Sequence, residues 1–423
     1  MNLTSPRTNY RWVICGLLFF ATTINYIDRQ ILSLLKPMLD AELGWTNTQF
    51  GYANSAFQAA YAISLLFFGW FIDRFGTKIG YAVSIAAWSV AAIGHAFVFS
   101  VGGFIVARVA LGLGEGGNFP AAIKATAQWF PKKERAFATS IFNAGANVGN
   151  VIAPALVPLI ALHFGWHWTF ILAGIAGFCW LFFWFPLFTS PRESPKVSAA
   201  ELEYIESDPV EEGDTEGRVT WGQVLRHRQA WSFICAKFLT DPVWWFFLIW
   251  LPDFFKRTRD LDIKSSWVLL VTIYLIITVL SIAGGWVTGY LTGRGWSVTR
   301  ARKTGMIVFA LCVVPIVFAT QVGNWTAVLL IGLAGAAHQA WSATIYTTVS
   351  DMFPKRAVAT LIGVGGAAGS VGGMLFPIVA GVLLDNFKNG YSILFGICAV
   401  AYLVAFAVNH LLAPKFDPIS LSR

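Results

Sequence analysis

The sequence predicts an all-α polytopic membrane protein, with twelve transmembrane helices in two pseudo-symmetric six-helix bundles. Three observations carry that reading: the composition, a succession of apolar stretches of about twenty residues, and a segment of the first half that returns in the second. Of the 423 residues, 56% are hydrophobic and 12% are charged. A soluble chain carries about twice that charged share, because it must cover its surface with solvated groups. The mean hydropathy is +0.62. The 36 Phe and 19 Trp exclude a disordered chain, and five Cys in this length exclude a disulfide scaffold.

The apolar stretches fall at about 12–36, 49–72, 79–99, 101–126, 137–162, 166–189, 229–254, 267–292, 303–321, 325–352, 358–384 and 388–412. Each is long enough to cross a bilayer as a helix. The first is too long for a signal-peptide core and has no small-residue cleavage site, so it is expected to be retained. Only one spacer is long. Residues 190–228 are polar and acidic, and they divide the chain into an N-terminal bundle (1–189), a central loop (190–228) and a C-terminal bundle (229–423).

Basic residues set the expected orientation. With the N-terminus inside, the inward loops and tails hold 21 of the 30 Lys and Arg, and the outward loops and span ends hold 6. That bias predicts both termini and the central loop in the cytoplasm. The net charge of +8 invites a nucleic-acid reading, but the cations stand between spans. The expected partner surface is therefore the lipid bilayer, not nucleic acid. Cys15, Cys179, Cys235, Cys312 and Cys398 are scattered singly with no metal-ligand spacing, so all five are expected to be small core residues. No metal, cofactor or catalytic residue is implied.

The repeat is specific. FPKKERAFATSIFNAGANVGNVIAP (130–154) and FPKRAVATLIGVGGAAGSVGGMLFP (353–377) share Arg-Ala-x-Ala-Thr at Arg135 and Arg356, and a Val-Gly with Pro five residues on at Gly149 and Gly372. Each follows the fourth span of its half. Duplicated bundles of this kind place a substrate site at their interface, which favours a transporter over a membrane enzyme.

GWFIDRFGTK (69–78), with Gly69, Asp73, Arg74, Gly76 and Lys78, resembles the signature loop of the major facilitator superfamily. There Asp73 can cap a helix while Arg74 and Lys78 meet lipid phosphates. NYIDRQ (25–30) and RVALGLGEGGNFPAAIKATAQWFPKKERA (108–136) resemble the anion:cation symporter branch, which includes galactonate, hexuronate, phthalate, sialic acid and vesicular glutamate carriers. VLRHRQAWSFICAKFLTDPVW (224–244) and GAAHQAWSATIYTTVSDMFPK (335–355) are most similar to bacterial hexuronate permeases.

Three cations, Arg29, Arg108 and Lys237, and three acids, Asp28, Glu115 and Asp241, fall within spans. Each costs about 2.5–3.5 kcal/mol at the bilayer centre even by the lower scale, so each calls for a reason. Asp28 and Arg29 are adjacent, point about 100° apart and must find partners elsewhere. Arg108 and Glu115 lie two turns apart on one face, and Lys237 and Asp241 can pair on one helix ahead of Pro242. One reading makes these groups buried ion pairs that only fix helix contacts. The other makes Arg29 and Arg108 the planar donors for a substrate carboxylate, and Asp28 and Glu115 the acids that take a coupled proton. The resemblance implies the second: in galactonate-type members the two acids are protonation sites, the Arg beside the first binds the carboxylate, and Tyr61 falls at a pocket position.

Asn143 and Asn147, one turn apart, and His338, Gln339 and the hydroxyl-rich 342–350 fill out the candidate substrate set with Lys237. Helix-to-helix hydrogen bonding is the alternative for these amides. Galactonate-related members have a Gln where this chain has Asn143 to Asn147. GLGEGG (112–117) and GVGGAAGSVGG (363–373) are stripes for close helix approach, since neither follows a strand or ends in Gly-Lys-Ser/Thr. Without a nucleotide loop the energy source is an ion gradient. The expected function is proton-coupled import of a sugar-acid anion, a hexuronate such as galacturonate or glucuronate, by a monomer in the bacterial inner membrane. The rivals are a carrier of an aldonate, tartrate or phthalate, and a membrane sensor of sugar acids.

Overall fold

The computed structural model describes residues 8–207 and 221–419. The ends of the expected cytoplasmic tails and the middle of the expected central loop lie outside the described residues. The chain divides into two compact units, residues 1–38 with 56–214, and residues 39–55 with 215–423.

The first unit contains most of α1 (Tyr10–Leu43) and α2 (Asn47–Phe75), then α3 (Thr77–His95), α4 (Val101–Glu115), α5 (Asn118–Trp129), α6 (Lys132–Phe164), α7 (Trp166–Leu187) and a short α8 (Ala199–Ile205). Its core is aromatic. Trp180 and Trp184 stack at 4.8 Å beside Tyr81, and the polar tips of these three find acceptors. Trp180 donates to the Leu17 carbonyl, Trp184 to that of Lys78, and Tyr81 to Asn118. That pairing is what burial of a Trp or Tyr demands. Outside, Leu66, Phe182 and Phe20 project from the helices, as a lipid solvent requires.

Eleven helices among the described residues are long and apolar enough to cross a bilayer. The expected fourth span, 101–126, is present as two consecutive helices, α4 and α5, that meet at Gly116 and Gly117, both still in the right-handed helical region. The cause is local. Ser64 donates to the Leu113 carbonyl and Ser84 to that of Gly114, the two acceptors that the next helical turn would have used. A Cβ at Gly116 would stand 2.5 Å from Ser64, and one at Gly117 2.5 Å from the Ser84 hydroxyl. Glycine lets the hydroxyls in.

In the signature loop, Gly76 takes φ 84°, a conformation that favours glycine. The expected cap does not form: no side chain caps α3, and Asp73 pairs with Lys124 of α5 at 2.7 Å. Arg74 is exposed and Lys78 half-buried. Two of the five cysteines, Cys15 and Cys398, are buried. Cys179 is exposed on α7, because a lipid-facing position accepts a small apolar group as readily as the core does.

The polar stretch after α7 is not a separate body. Glu201 of α8 is fully buried and accepts hydrogen bonds from Thr8, the backbone N–H groups of Tyr10 and Arg11, and the Arg11 guanidinium. It therefore caps the start of α1 across almost two hundred residues. Arg11 also pairs with Glu134 at 2.9 Å.

The second unit contains α9 (Trp221–Leu225), α10 (Arg228–Arg259), α11 (Ile263–Gly293), α12 (Val298–Val313), α13 (Asn324–Met352), α14 (Lys355–Asn386) and α15 (Gly390–Leu412), together with residues 39–55. The first turn of α2 is held here by Asp385, which accepts from the N–H groups of Asn47 and Thr48 at 3.0 and 2.8 Å. Arg257 of α10 bridges Asp253 and Asn47.

Candidate functional site

Each unit encloses its own charged cluster. In the first, α1 and α4 bring together residues 86 positions apart: Arg29 Nε donates to Glu115 Oε2 at 2.6 Å, with the two side chains 8% and 0% exposed. Three aromatic rings surround the guanidinium, Tyr61 at 4.5 Å, Tyr26 at 5.0 Å and Phe57 at 5.5 Å. Rings at these distances attract a desolvated cation and keep water out. Tyr61 is half-buried and stacks on Phe57, so the expected pocket tyrosine does reach the expected cation.

Arg108 lies behind this pair. Its guanidinium also lies over the Phe57 ring at 5.0 Å and reaches the Arg29 carbonyl at 3.5 Å. Asp28 is buried, and among the described residues neither of its carboxyl oxygens meets a hydrogen-bonding partner. Its charged neighbours are Glu115, Arg108 and Arg29. So the adjacency of Asp28 and Arg29 resolves as geometry demands: Arg29 finds Glu115 on another helix, and Asp28 stays apart.

The helices reach this closeness through glycine. A Cβ at Gly112 would stand 2.5 Å from the Phe57 carbonyl, and one at Gly145 2.4 Å from that of Phe19. These stripes draw α4 onto α2 and α6 onto α1. On α6, Asn143 and Asn147 are half-buried and share a face. Asn150 is buried and accepts from Gln30 at 3.1 Å, a helix-to-helix contact that the amide pattern alone did not single out.

In the second unit Lys237 Nζ and Asp241 Oδ2 of α10 pair at 2.8 Å, 6% and 18% exposed. The ammonium sits 4.6 Å from the ring centre of Tyr346 on α13. His338 Nδ1 meets the Tyr402 hydroxyl at 2.6 Å, and Trp244 stacks on its ring at 5.3 Å. Gln339, one residue on, is half-buried. Three hydroxyls of 342–350 turn to their own helix: Thr344, Thr347 and Thr348 donate to the carbonyls of Ala340, Thr344 and Ile345.

Two charged residues are buried that the hydropathy boundaries had left at span ends. Lys36 of α1 is 0% exposed and Asp253 of α10 is 1% exposed. The signal was present in their apolar flanks, Leu34-Leu35-Lys36-Pro37-Met38 and Trp250-Leu251-Pro252-Asp253-Phe254.

Comparison with known proteins adds lineage to this geometry. The family model described as Major Facilitator Superfamily matches residues 18–345 and 304–419. The Hexuronate transporter of Escherichia coli (strain K12) is 32% identical over 403 residues, covering 94% of this chain and 93% of that protein. The Probable galactarate/D-glucarate transporter of Bacillus subtilis (strain 168) is 31% identical, covering 95% and 92%. The D-galactonate transporter of Escherichia coli O6:H1 is 28% identical, covering 94% of each. Among solved structures, a bacterial homolog of the human lysosomal transporter Spinster superposes with TM-score 0.80 at 17% identity, over 96% of this chain and 97% of that one. The D-xylose-proton symporter superposes with TM-score 0.72 at 16% identity, over 97% and 98%.

Proposed function

Because this chain belongs to the major facilitator superfamily, we propose that it is a proton-coupled symporter that imports a sugar-acid anion, a hexuronate such as galacturonate, by alternating access. The observation that carries this reading is the Arg29–Glu115 pair, enclosed by Tyr26, Phe57 and Tyr61. Relatives named as hexuronate, galactonate and galactarate/D-glucarate transporters support the substrate class. The name of the D-xylose-proton symporter supports the coupling ion.

The pair suggests how substrate and proton are linked. Glu115 occupies the guanidinium that a substrate carboxylate needs. A proton passing from the outer medium to Glu115 removes its negative charge and frees Arg29 for a two-pronged bond to the substrate. One carboxylate replaces another, so the charge around Arg29 is unchanged. When the proton leaves on the other side, Glu115 reclaims Arg29 and expels the substrate. Proton and substrate then favour the same state of the protein, which is the reciprocity coupling requires. Asp28, whose carboxyl oxygens meet no hydrogen-bonding partner among the described residues, serves as the second proton-linked group. Arg108 supports the Arg29 backbone; the remaining candidate sugar contacts are Tyr61, Asn143 and Asn147 in the first unit and, separately, Lys237, His338 and Gln339 in the second. Both termini face the cytoplasm, following the Lys and Arg bias.

Uptake of labelled galacturonate into proteoliposomes, with and without an imposed pH gradient, tests the reading. Accumulation driven by the gradient and competed by unlabelled hexuronate is expected. Accumulation indifferent to pH would remove the coupling. Competition only by galactonate or galactarate would keep the carrier and change its substrate.

A further inference from the structure

Asp241 has no part in the scheme above, and its surroundings give it one. Its partner Lys237 is four residues back on the same helix, so the ion pair itself stays within α10, and the Lys237 ammonium also meets the Tyr346 ring of α13. On its far side Asp241 meets α14 at Gly369, where a Cβ would come within 2.1 Å of Oδ2. The same run of α14 accommodates Phe233 at Gly365 and Trp245 at Gly373, so its glycines match one continuous face of α10, and the carboxylate is one of the shapes they admit. Pro242 follows, leaving the Phe238 carbonyl without its usual helical donor, which loosens α10 beside the acid.

We infer that Asp241 is a further proton carrier of the transport cycle, which releases Lys237 to bind anion when it is protonated. The inference rests on the proposed symport and extends it to the second unit. α10 opens the second half of the duplicated chain as α1 opens the first, and each carries a buried cation bonded to an acid and set against a tyrosine ring: Arg29 with Glu115 of α4 and Tyr61 of α2, Lys237 with Asp241 of its own helix and Tyr346 of α13. The step balances simply. A proton from the medium adds to Asp241 Oδ2, the ion pair opens, and the Lys237 ammonium keeps all its protons. Deprotonation restores the pair. Among the described residues the acid faces Lys237 on α10, Tyr402 on α15 and Gly369 on α14, while Tyr346 and His338 of α13 face the Lys237 ammonium.

Calorimetry of galacturonate binding to the purified full chain, in two buffers of different ionisation heat, counts the protons taken up per ligand. Asp241→Asn is expected to take up fewer than wild type, by up to about one proton. An unchanged count overturns the inference. Glu115→Gln, run alongside, reports on the first pair: if it lowers the count and Asp241→Asn does not, the symport reading stands and this one falls. Infrared difference spectra of the ligand-free protein across pH give a readout that needs no substrate. A neutral-carboxyl band should vanish in Asp241→Asn and persist in Glu115→Gln, and spectra of Asp241→Asn that superimpose on wild type overturn the inference. Should the Asn variant fail to fold, Asp241→Glu keeps the acid and should move that band. A spectrum it leaves unmoved has the same adverse meaning.

Discussion

The Arg29–Glu115 pair and the Lys237–Asp241 pair have the same components and opposite architecture. The first spans α1 and α4, with both side chains at least nine-tenths buried. The second lies within α10 and leaves Asp241 18% exposed. A pair that bridges two helices contributes to their association, so breaking it costs more than the lost bond. The second pair makes no such bridge by its own bond, and its cross-helix contacts are those of Lys237 with Tyr346 and of Asp241 with Gly369. The comparison teaches that burial of an ion pair says little about its role until one knows which elements it joins.

The largest effect should come from breaking the bridging pair. Arg29→Ala removes the donor and leaves Glu115 buried without its cation. Truncating one partner of a buried charge pair costs about 2–5 kcal/mol of affinity, or roughly thirty- to several-thousand-fold. Thermal stabilisation by galacturonate should disappear, and stabilisation that survives would remove Arg29 from the binding site. Glu115→Gln is gentler, because the amide mimics the protonated acid. Counterflow exchange should persist while accumulation driven by a pH gradient is lost. A Gln variant that still concentrates substrate would make the bridge structural and turn attention to Asp28.

The single-helix pair is probed through its neighbour. Gly369→Ala should cost about 1–3 kcal/mol by overpacking the Asp241 carboxylate, and Asp241→Ala should relieve much of that penalty. Melting temperatures of the two single variants and the double measure the coupling. Additive losses would mean that α14 shifts to make room, and that the glycine face is not shaped by the acid.

The smallest effect lies in a third pair, outside the spans, that serves as a reference for both. Burial alone would push Glu201 upward, but hydrogen bonds from Thr8, from the Tyr10 and Arg11 backbone and from the Arg11 side chain hold it below the ordinary carboxylate value. A group lowered in the folded state stabilises at pH above its unfolded value and loses that contribution as pH falls through the folded one. Docking of α8 on α1 should therefore weaken only on strong acidification. Hydrogen exchange at the Tyr10 and Arg11 amides should rise there and stay low at neutral pH. Protection that persists in acid, or in Glu201→Gln at neutral pH, would show that α8 is held by its apolar contacts.

Much of this was legible along the chain. Hydropathy located the spans to within a few residues, and the repeat at 130–154 and 353–377 announced the duplication. The break in the fourth span was not legible, because its cause is two serines on other helices, Ser64 and Ser84, that take its carbonyls. Asp73 shows the same limit. Its position suited a cap, yet the partner it took, Lys124, depended on where α5 came to lie.

Within the site, the sequence by itself determined which side chains would be expensive in lipid and so would need partners. It also determined that neighbours such as Asp28 and Arg29 could not pair, since helical spacing sends them in different directions. Only the tertiary structure decided that Arg29 would take Glu115 while Asp28 met no hydrogen-bonding partner among the described residues, and that Asp385 would cap α2. Cost in lipid is a property of one residue and its immediate flanks. A partner is a property of two helices, and the depth and rotation at which they meet are set by the glycines and aromatic rings between them.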